Sequence, residues 1–487
     1  PQKVPPVVNH GTPEFPEYAA TRYYSSDFTE KRMVSYFGRL GYNYKQRYLL
    51  EFTFRRDGSS TFGEGNRWAN FPSVAVGWSF SEEPFIKRLT GSWLNWGKIR
   101  GSYGKSGQTF TSAYLAHGLM NIMDRNFFGK TGVTTDKPVS PYLTWEKTRQ
   151  YDLGLDMDMF NYRLNMKLDY YYKYTSSLIY DIPIPGSLYT FGAQVENAME
   201  ISNEGLELEL QADILRESAV SWRMKFNMAR NWNRFEKSYS GKDVVDGDGT
   251  LLVVGRPLNG LYVWAHRGYY NSDAEVPRLY KIDGQEIYFN GVATNGISGA
   301  VGDYRLLDLD GDGNPDSYYA GSPLPLAHGG WVNELMWKNF DLNVLVNFTI
   351  GRKMINNRMG LGFSRQSEDG HLTKLFDYRK LRPWDGVNKK PNAPAWGNSL
   401  SMNTDSAIEK VHHLALKQIT LGYNLPDRIS KKAGLSGVRF FLTAENLFYL
   451  SNYSGGNPEV VNIYTGRDNG DTYPLPRKYT LGLTLNF

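Results

Sequence analysis

The chain has 487 residues, of which 15% are aromatic, including 34 Tyr and 12 Trp, and it contains no cysteine. The lack of cysteine excludes a disulfide framework, a thiolate metal site and a thiol nucleophile. The net charge of +5 with scattered basic residues gives no footprint for nucleic acid, and no window approaches the roughly 18 consecutive apolar residues of a membrane-spanning helix.

Residues 1–31 are rich in proline and irregular, and we predict that they form an extracellular loop segment in front of the first strand. From residue 32 to 487, apolar and polar side chains alternate with a period of two, which predicts β-strands with one apolar and one polar face. Each strand matches or exceeds the roughly 9–11 residues with which a tilted strand crosses a bilayer. The predicted strands lie near 32–44, 48–56, 71–80, 97–105, 148–160, 163–175, 204–215, 221–235, 328–338, 340–351, 411–425, 438–449 and 478–487.

The final segment shows the alternation most cleanly. One face carries Tyr479, Leu481, Leu483, Leu485 and Phe487, and the other carries Lys478, Thr480, Gly482, Thr484 and Asn486. Because lipid offers no partner to backbone N–H and C=O groups, strands that cross a bilayer must close into a barrel. The sequence therefore predicts an all-β fold, a transmembrane antiparallel β-barrel.

The links between the predicted strands alternate in length. Short links such as Tyr44–Tyr48, Phe160–Arg163 and Lys338–Phe340 occur at every second position, and the longest loop runs from about Glu236 to Ala327. Short periplasmic turns and long extracellular loops are typical of outer-membrane barrels. Thirteen strands would leave the first without a partner, so we expect further strands N-terminal to this chain.

The longest loop contains the string DLDGDGNPD, which has the spacing of a calcium loop around a sharp glycine turn. We predict a structural Ca²⁺ there, and a solvated acidic turn is the alternative, because Tyr319 stands where the usual bidentate Glu would be. The predicted ligands are Asp308, Asp310, Asp312, Asn314 and Asp316. The DGDG at 246–249 offers fewer ligands and is interpreted as a solvated turn.

Several other side chains are candidates for function. Four tryptophans in or near predicted outer loops could stack on a substrate, although interface anchoring and loop packing are commoner uses: Trp68, Trp145, Trp264 and Trp396. Six charged residues are predicted to face the lumen and to pair there with a plug: Glu51, Arg55, Asp152, Asp156, Glu207 and Glu209. His412 and His413 form no metal-binding spacing, and the sequence contains no nucleophile elbow or phosphate loop.

Strings along nearly the whole chain after residue 30 resemble those of the SusC/RagA family of TonB-dependent outer-membrane transporters. They are RRDGSSTFGEGNRWANFPSVAVGWSFSEEPF at 55–85, LTWEKT at 143–148, NEGLELEL at 203–210, VGRPLNGLYVW at 254–264, DLDGDGNPD at 308–316, AENLFYLSNYSGGNPEV at 444–460 and the ending YPLPRKYTLGLTLNF.

This resemblance implies the last thirteen strands of a roughly 22-stranded barrel that holds an N-terminal plug, with the plug and early strands absent here. It also implies an importer of oligosaccharides or peptides in the outer membrane of a Gram-negative, Bacteroidetes-like bacterium. The partners would be TonB, a SusD-like surface lipoprotein and outer-membrane lipid, with two barrels and two lids in the assembly. No covalent chemistry is implied.

Two other classes remain open from the residues alone. One is an outer-membrane barrel for secretion or surface assembly, with no imported ligand. The other is a soluble all-β propeller or sandwich, which the uneven loop lengths disfavour because such folds repeat evenly.

Overall fold

The structure is a computed structural model. It describes residues 28–109, 112–117, 120–127, 130–135, 138–185, 192–216, 218–245, 251–276, 278–280, 286–288, 301–307, 309, 316–357, 382–387, 390–395, 404–470 and 472–487. The predicted loop segment 1–31 therefore lies outside the described residues except for its last four positions.

Thirteen long strands of the described residues form one antiparallel sheet in which each strand pairs with its neighbours in sequence. This confirms the predicted number and order of strands, and β1 and β13 are the two edges of the sheet. The strands are β1 (Met33–Tyr44), β2 (Tyr48–Ser59), β3 (Trp68–Trp78), β4 (Leu94–Gln108), β5 (Glu146–Met159), β6 (Leu164–Pro183), β7 (Ala193–Leu215), β8 (Val220–Lys237), β9 (Ala327–Trp337), β10 (Phe340–Asn356), β11 (Ile408–Asn424), β12 (Gly437–Ser451) and β13 (Lys478–Asn486).

Shorter elements lie in the connections. Within the ranges given above, the helices are α1 (Pro84–Thr90) and α2 (Asp427–Ser430), and the 3-10 turns are Phe80–Glu82, Asp273–Glu275, Asp405–Ala407, Lys431–Ala433 and Pro458–Val460. The short strands pair as Met120–Phe127 with Lys130–Thr135, Val244–Val245 with Leu251–Leu252, Leu261–Trp264 with Ser317–Gly321, His266–Tyr269 with Tyr304–Leu306, and Arg278–Tyr280 with Glu286–Tyr288; Arg467–Asp468 adds in parallel to the end of β10.

Two strands are much longer than predicted. The alternation ends near residue 175 in β6 and begins near 204 in β7, yet the two strands continue to pair from Thr175–Ile201 up to Pro183–Ala193. Register shifts lie between Thr175 and Ile179 in this stretch. Because each shift exchanges the two faces of a strand, the period of two that a sequence can show is lost there.

The predicted alternation of link lengths fails once. The link between β3 and β4 holds the 3-10 turn and α1, and it is longer than the link at 60–67 on the opposite end of the sheet. The tight link between β1 and β2 fits the prediction: Lys45 and Gln46 have φ of 53° and 56°, as in the turns that match the twist of a hairpin.

The register confirms that one face of the sheet is apolar. Leu40 stands opposite Phe52, and Tyr42 stands opposite Leu50, and the same face continues across β12 and β13 with Leu442 opposite Leu481. These side chains are exposed, from 45% for Phe52 to 81% for Leu481. No second protein layer covers this face in the described part of the chain, so it is suited to contact hydrocarbon.

Aromatic rings collect at the end of the sheet where the short links lie. Ring pairs there are Tyr44 with Tyr48, Trp93 with Phe160, and Trp337 with Phe340, with centroids 6.2–6.4 Å apart. Such rings are typical of the membrane–water interface. The opposite end carries the long loops, where the fully buried side chains Phe62, Trp145, Phe235, Met354 and Ile355 lie.

Candidate functional site

The polar face of the sheet is a network of charges that pair from strand to strand. The Arg100 guanidinium binds Asp156 at 3.0 Å and Asp169 at 2.6 Å, which joins β4, β5 and β6. Further pairs join Arg223 to Asp213 and Lys225 to Glu334, each at 2.7 Å. Charged groups in such pairs stay solvated by one another and by water, as expected of a wet lumen.

The six charged residues predicted to face the lumen lie on this polar face, and most of them have partners within the sheet. Glu51 pairs with Arg39, Arg55 binds Asp57 at 2.7 Å and Glu209 binds Lys167 at 3.4 Å. Asp152 accepts a hydrogen bond from Ser102 at 3.0 Å, Asp156 pairs with Arg100, and Glu207 stands opposite Asp169 in the register. Most of these charges therefore pair within the wall, and their pairing with a plug stays a prediction.

The four tryptophans that were candidates for substrate contact have different environments. Trp145 is buried among Phe62, Phe71 and Leu143, and its indole N–H donates to the carbonyl of Arg67 at 3.1 Å, so it packs a loop and cannot stack on a substrate. Trp68 stacks on Tyr36 with centroids 6.0 Å apart at the apolar face. Trp264 is half-buried and forms a bridge to Thr404, and Trp396 lies outside the described residues.

The outer loops fold back over the rim, and Arg352 fixes them to the sheet. This arginine is 4% exposed. It donates to the carbonyl oxygens of Pro323 at 3.1 Å, Pro458 at 3.1 Å, Val461 at 2.9 Å and Asn462 at 2.7 Å. One side chain of β10 thereby holds the loop before β9 and the loop before β13.

These loops enclose a cavity of about 770 Å³ at the outer ends of β6, β7 and β8. Its lining is mainly aliphatic and aromatic, and its polar groups include those of Asn259, Thr465 and Arg467 and the hydroxyls of three tyrosines. The loops are joined across it, because the Asn259 amide donates to the carbonyl of Tyr464 at 3.1 Å. A mainly apolar hollow with a few polar groups is typical of a ligand site.

The Tyr262 hydroxyl is the most unusual polar group of this cavity. It is buried and has no hydrogen-bond partner in the part of the chain that the structure describes, and burial raises the pKa of Tyr262 to about 12. A buried polar group without a partner is destabilising.

Sequence reasoning missed this cavity, although a signal was present. The string VGRPLNGLYVW supplies Leu258, Asn259, Gly260, Leu261 and Tyr262 to the lining. The string has no two-residue alternation, and its role follows only from the way in which the loop folds against Phe235 and Met199.

Of the predicted calcium ligands, only Asp316 is described; Asp308, Asp310, Asp312 and Asn314 lie outside the described residues, as does the DGDG at 246–249. The Asp316 carboxylate accepts from the Leu309 N–H at 2.5 Å, and its own N–H donates to Leu307 at 2.9 Å. The two ends of the loop therefore meet. Among the described residues no group of three or more His, Cys, Asp or Glu could hold a metal ion.

The two histidines lie within β11. His413 is 9% exposed, and its Nε2 is 3.9 Å from Glu459. His412, its neighbour in the strand, is exposed. Within the described ranges, the helices of the chain are all too short or too polar to cross a membrane.

The comparisons with known proteins agree on one family. The family described as "TonB dependent receptor-like, beta-barrel" matches residues 6–318. The chain is 32% identical to TonB-dependent receptor P26 of Formosa agariphila, over 95% of this chain and 47% of the relative. It is 30% identical to TonB-dependent receptor SusC of Bacteroides thetaiotaomicron, over 97% of this chain and 45% of the relative.

Among solved structures, the RagAB peptide transporter superimposes with a TM-score of 0.76 at 24% identity and covers 97% of this chain and 49% of that one. The chain thus spans about half the length of the curated relatives that it matches. The relatives are named as receptors, not as enzymes. The chain belongs to the TonB-dependent receptor-like β-barrel family and is of the SusC/RagA type.

Proposed function

We propose that the protein carrying this chain is an active importer of oligosaccharides or peptides in the outer membrane of a Gram-negative bacterium. The observation that carries this proposal is the two-sided sheet, with an exposed apolar face and a face of paired charges, in a chain of the TonB-dependent receptor family. A barrel with these faces is stable only between hydrocarbon and water.

The energy for import would come from TonB, acting on parts of the protein outside this chain. A SusD-like lipoprotein would cover the loop end, and two such transporter–lipoprotein pairs would form the assembly. The similarity to SusC and to the fold of RagAB supports these partners. The long outer loops, which Arg352 fixes to the sheet, offer a rigid surface for the lipoprotein.

The cavity of about 770 Å³ at the outer ends of β6, β7 and β8, called the mouth cavity below, favours a peptide over an oligosaccharide as the imported ligand. Its lining includes Leu178, Met199, Ile201, Leu252 and Leu258, and aliphatic groups gain by burying apolar side chains but not sugar hydroxyls. The Arg467 side chain, which also lines the cavity, can attract a peptide carboxylate.

Uptake by the full-length protein in its own outer membrane tests the proposal. We expect a defined peptide mixture to accumulate in cells that have TonB and the parent protein. It should not accumulate in cells without TonB, or in cells that carry the Leu258→Glu variant, which places a charge in the cavity. Val245→Glu is the matched control, because Val245 lies in the same loop but is 65% exposed. Equal uptake without TonB contradicts the importer, and uptake of oligosaccharide alone contradicts the peptide assignment. No ligand uptake at all would favour a barrel for secretion or surface assembly.

A structural Ca²⁺ in the longest loop is a second part of the proposal. Hydrogen bonds of Asp316 with Leu307 and Leu309 join the two ends of the acidic motif, and clustered carboxylates repel one another without a cation. The ligands would be Asp308, Asp310, Asp312, Asn314 and Asp316, which supply the hard oxygen atoms that Ca²⁺ prefers.

Limited proteolysis tests the ion without reference to transport. Ca²⁺ should protect the loop between 301 and 317 from cleavage in the parent protein, and a chelator should remove this protection. Asp312→Asn should weaken the protection, whereas Asp273→Asn, in the same long loop but outside the motif, should not. Equal cleavage with and without Ca²⁺ would contradict a bound ion.

A further inference from the structure

A second cavity, of about 470 Å³, lies at the rim of the sheet above the start of β9. Among the described residues, its lining contains three cationic side chains, Arg230, Lys353 and Lys410, and no acidic one. None of the three forms a salt bridge within the described part of the chain, in contrast to the paired arginines of the polar face. Concentrated positive charge without a counter-ion is unfavourable unless an anion binds.

The cavity lies at the edge of β8 beyond Ala229, where the pairing with β9 ends, and residues of both rows of β8 line it. Its three cations belong to rows that face the membrane side. Arg230 and Trp232 continue the row of β8 that holds the exposed Met228, and Lys410 continues the row of β11 that holds the exposed Leu414. Lys353 stands opposite Lys410 in the register. The three cations therefore lie just above the apolar belt, at the height of the lipid headgroups of the outer leaflet.

The side chains around the cations are arranged for a headgroup. The Arg230 guanidinium lies 4.3 Å from the ring centroid of Trp232, which fixes its position, and the Lys353 ammonium donates to the carbonyl of Ala320. Glu204, which faces Trp232 on β7, accepts from the Tyr170 hydroxyl at 3.0 Å on its other side. Arginine and lysine together bind phosphate oxygens strongly, and a tryptophan at this depth anchors at the interface.

We propose that this rim cavity binds the phosphate of an anionic lipid of the outer leaflet. The lipid chains extend down the apolar belt over Met228 and Leu414, while Arg230, Lys353 and Lys410 hold the phosphate. This proposal rests on the proposed position of the protein in the outer membrane, but not on what the protein imports.

Native mass spectrometry of the full-length protein in phosphatidylcholine nanodiscs tests the site. The probes are diphosphorylated lipid A and the same lipid after enzymatic removal of its phosphates. We expect the parent protein to retain the phosphorylated lipid only, and the double variant Arg230→Gln with Lys410→Gln to retain roughly 20-fold less. Arg428→Gln with Lys432→Gln removes the same charge at the opposite rim and should retain as much as the parent.

Equal retention by the two double variants, or retention of the dephosphorylated lipid, would overturn the site. If millimolar inorganic phosphate displaces the lipid completely, the cavity is a site for free phosphate and the lipid assignment is wrong. Arg230→Lys should keep most of the retention, because it keeps the charge. Failure of the protein to enter the outer membrane would instead contradict the proposed function, and cell fractionation measures this separately.

Discussion

Replacing Arg352 by Met tests how the outer loops are fixed to the sheet. The change removes four hydrogen bonds of 2.7–3.1 Å to carbonyl oxygens, and it leaves these oxygens without a donor in a site where the arginine was only 4% exposed. A buried carbonyl oxygen that is left without a donor costs about 1–3 kcal/mol, so the loss over these four acceptors should be at least about 3 kcal/mol.

The loss should be local, because the four acceptors lie in two loops while the pairing of β10 with β9 and β11 involves its backbone. We therefore expect Arg352→Met to open the loops around 323 and 458–462, and a protease should cleave there at least tenfold faster in the full-length protein. The melting temperature of the barrel should fall only slightly, although the loops lose their protection from the protease. Arg352→Lys, with three donors on a shorter reach, should lie between the parent and Met.

Arg216→Met is the matched control. Arg216 is exposed and donates to one carbonyl oxygen, that of Asn161, at 3.2 Å, so its loss should change stability by less than about 0.5 kcal/mol. Protease cleavage of Arg352→Met at the same sites and rates as the parent would refute the reasoning, since the loops would then be held by something other than this arginine.

Three further changes test other parts of the structure. Trp145→Ala should destabilise by about 3–5 kcal/mol in urea unfolding, because it empties a buried space beside Phe62 at 5.0 Å; a loss below about 1 kcal/mol would contradict its role in packing. Gly329→Ala should lower the fraction of protein that stays folded in unheated detergent gels, since a Cβ there would lie 2.0 Å from the Asn227 carbonyl, whereas Gly38→Ala has open space and should behave as the parent. The Tyr48 hydroxyl donates to Glu83 at 2.7 Å and lowers the pKa of Glu83. The stabilisation from ionised Glu83 is therefore present above the pKa of Glu83 in the unfolded chain, and it is lost as pH falls through the pKa of Glu83 in the folded protein. The melting temperature should therefore fall less between about pH 5 and 3 in Glu83→Gln than in the parent, and parallel pH curves would refute this.

The sequence alone determined the wall of this protein. Strict alternation, as in Tyr479, Leu481 and Leu483 against Thr480 and Gly482, predicted thirteen strands and the face that each side chain occupies, because a strand that separates lipid from water must alternate. The alternation of short turns and long loops between the strands could also be predicted, apart from the link that contains α1.

The tertiary structure alone decided what the outer ends of the strands and the loops do. Bulges near Leu178 in β6 and near Gly351 in β10 exchange the two faces of a strand, so no periodic signal marks the extensions beyond them. The mouth cavity, the burial of Trp145 and the four contacts of Arg352 join residues that are far apart in sequence. Such contacts depend on how loops fold against one another, and composition and spacing carry no record of that.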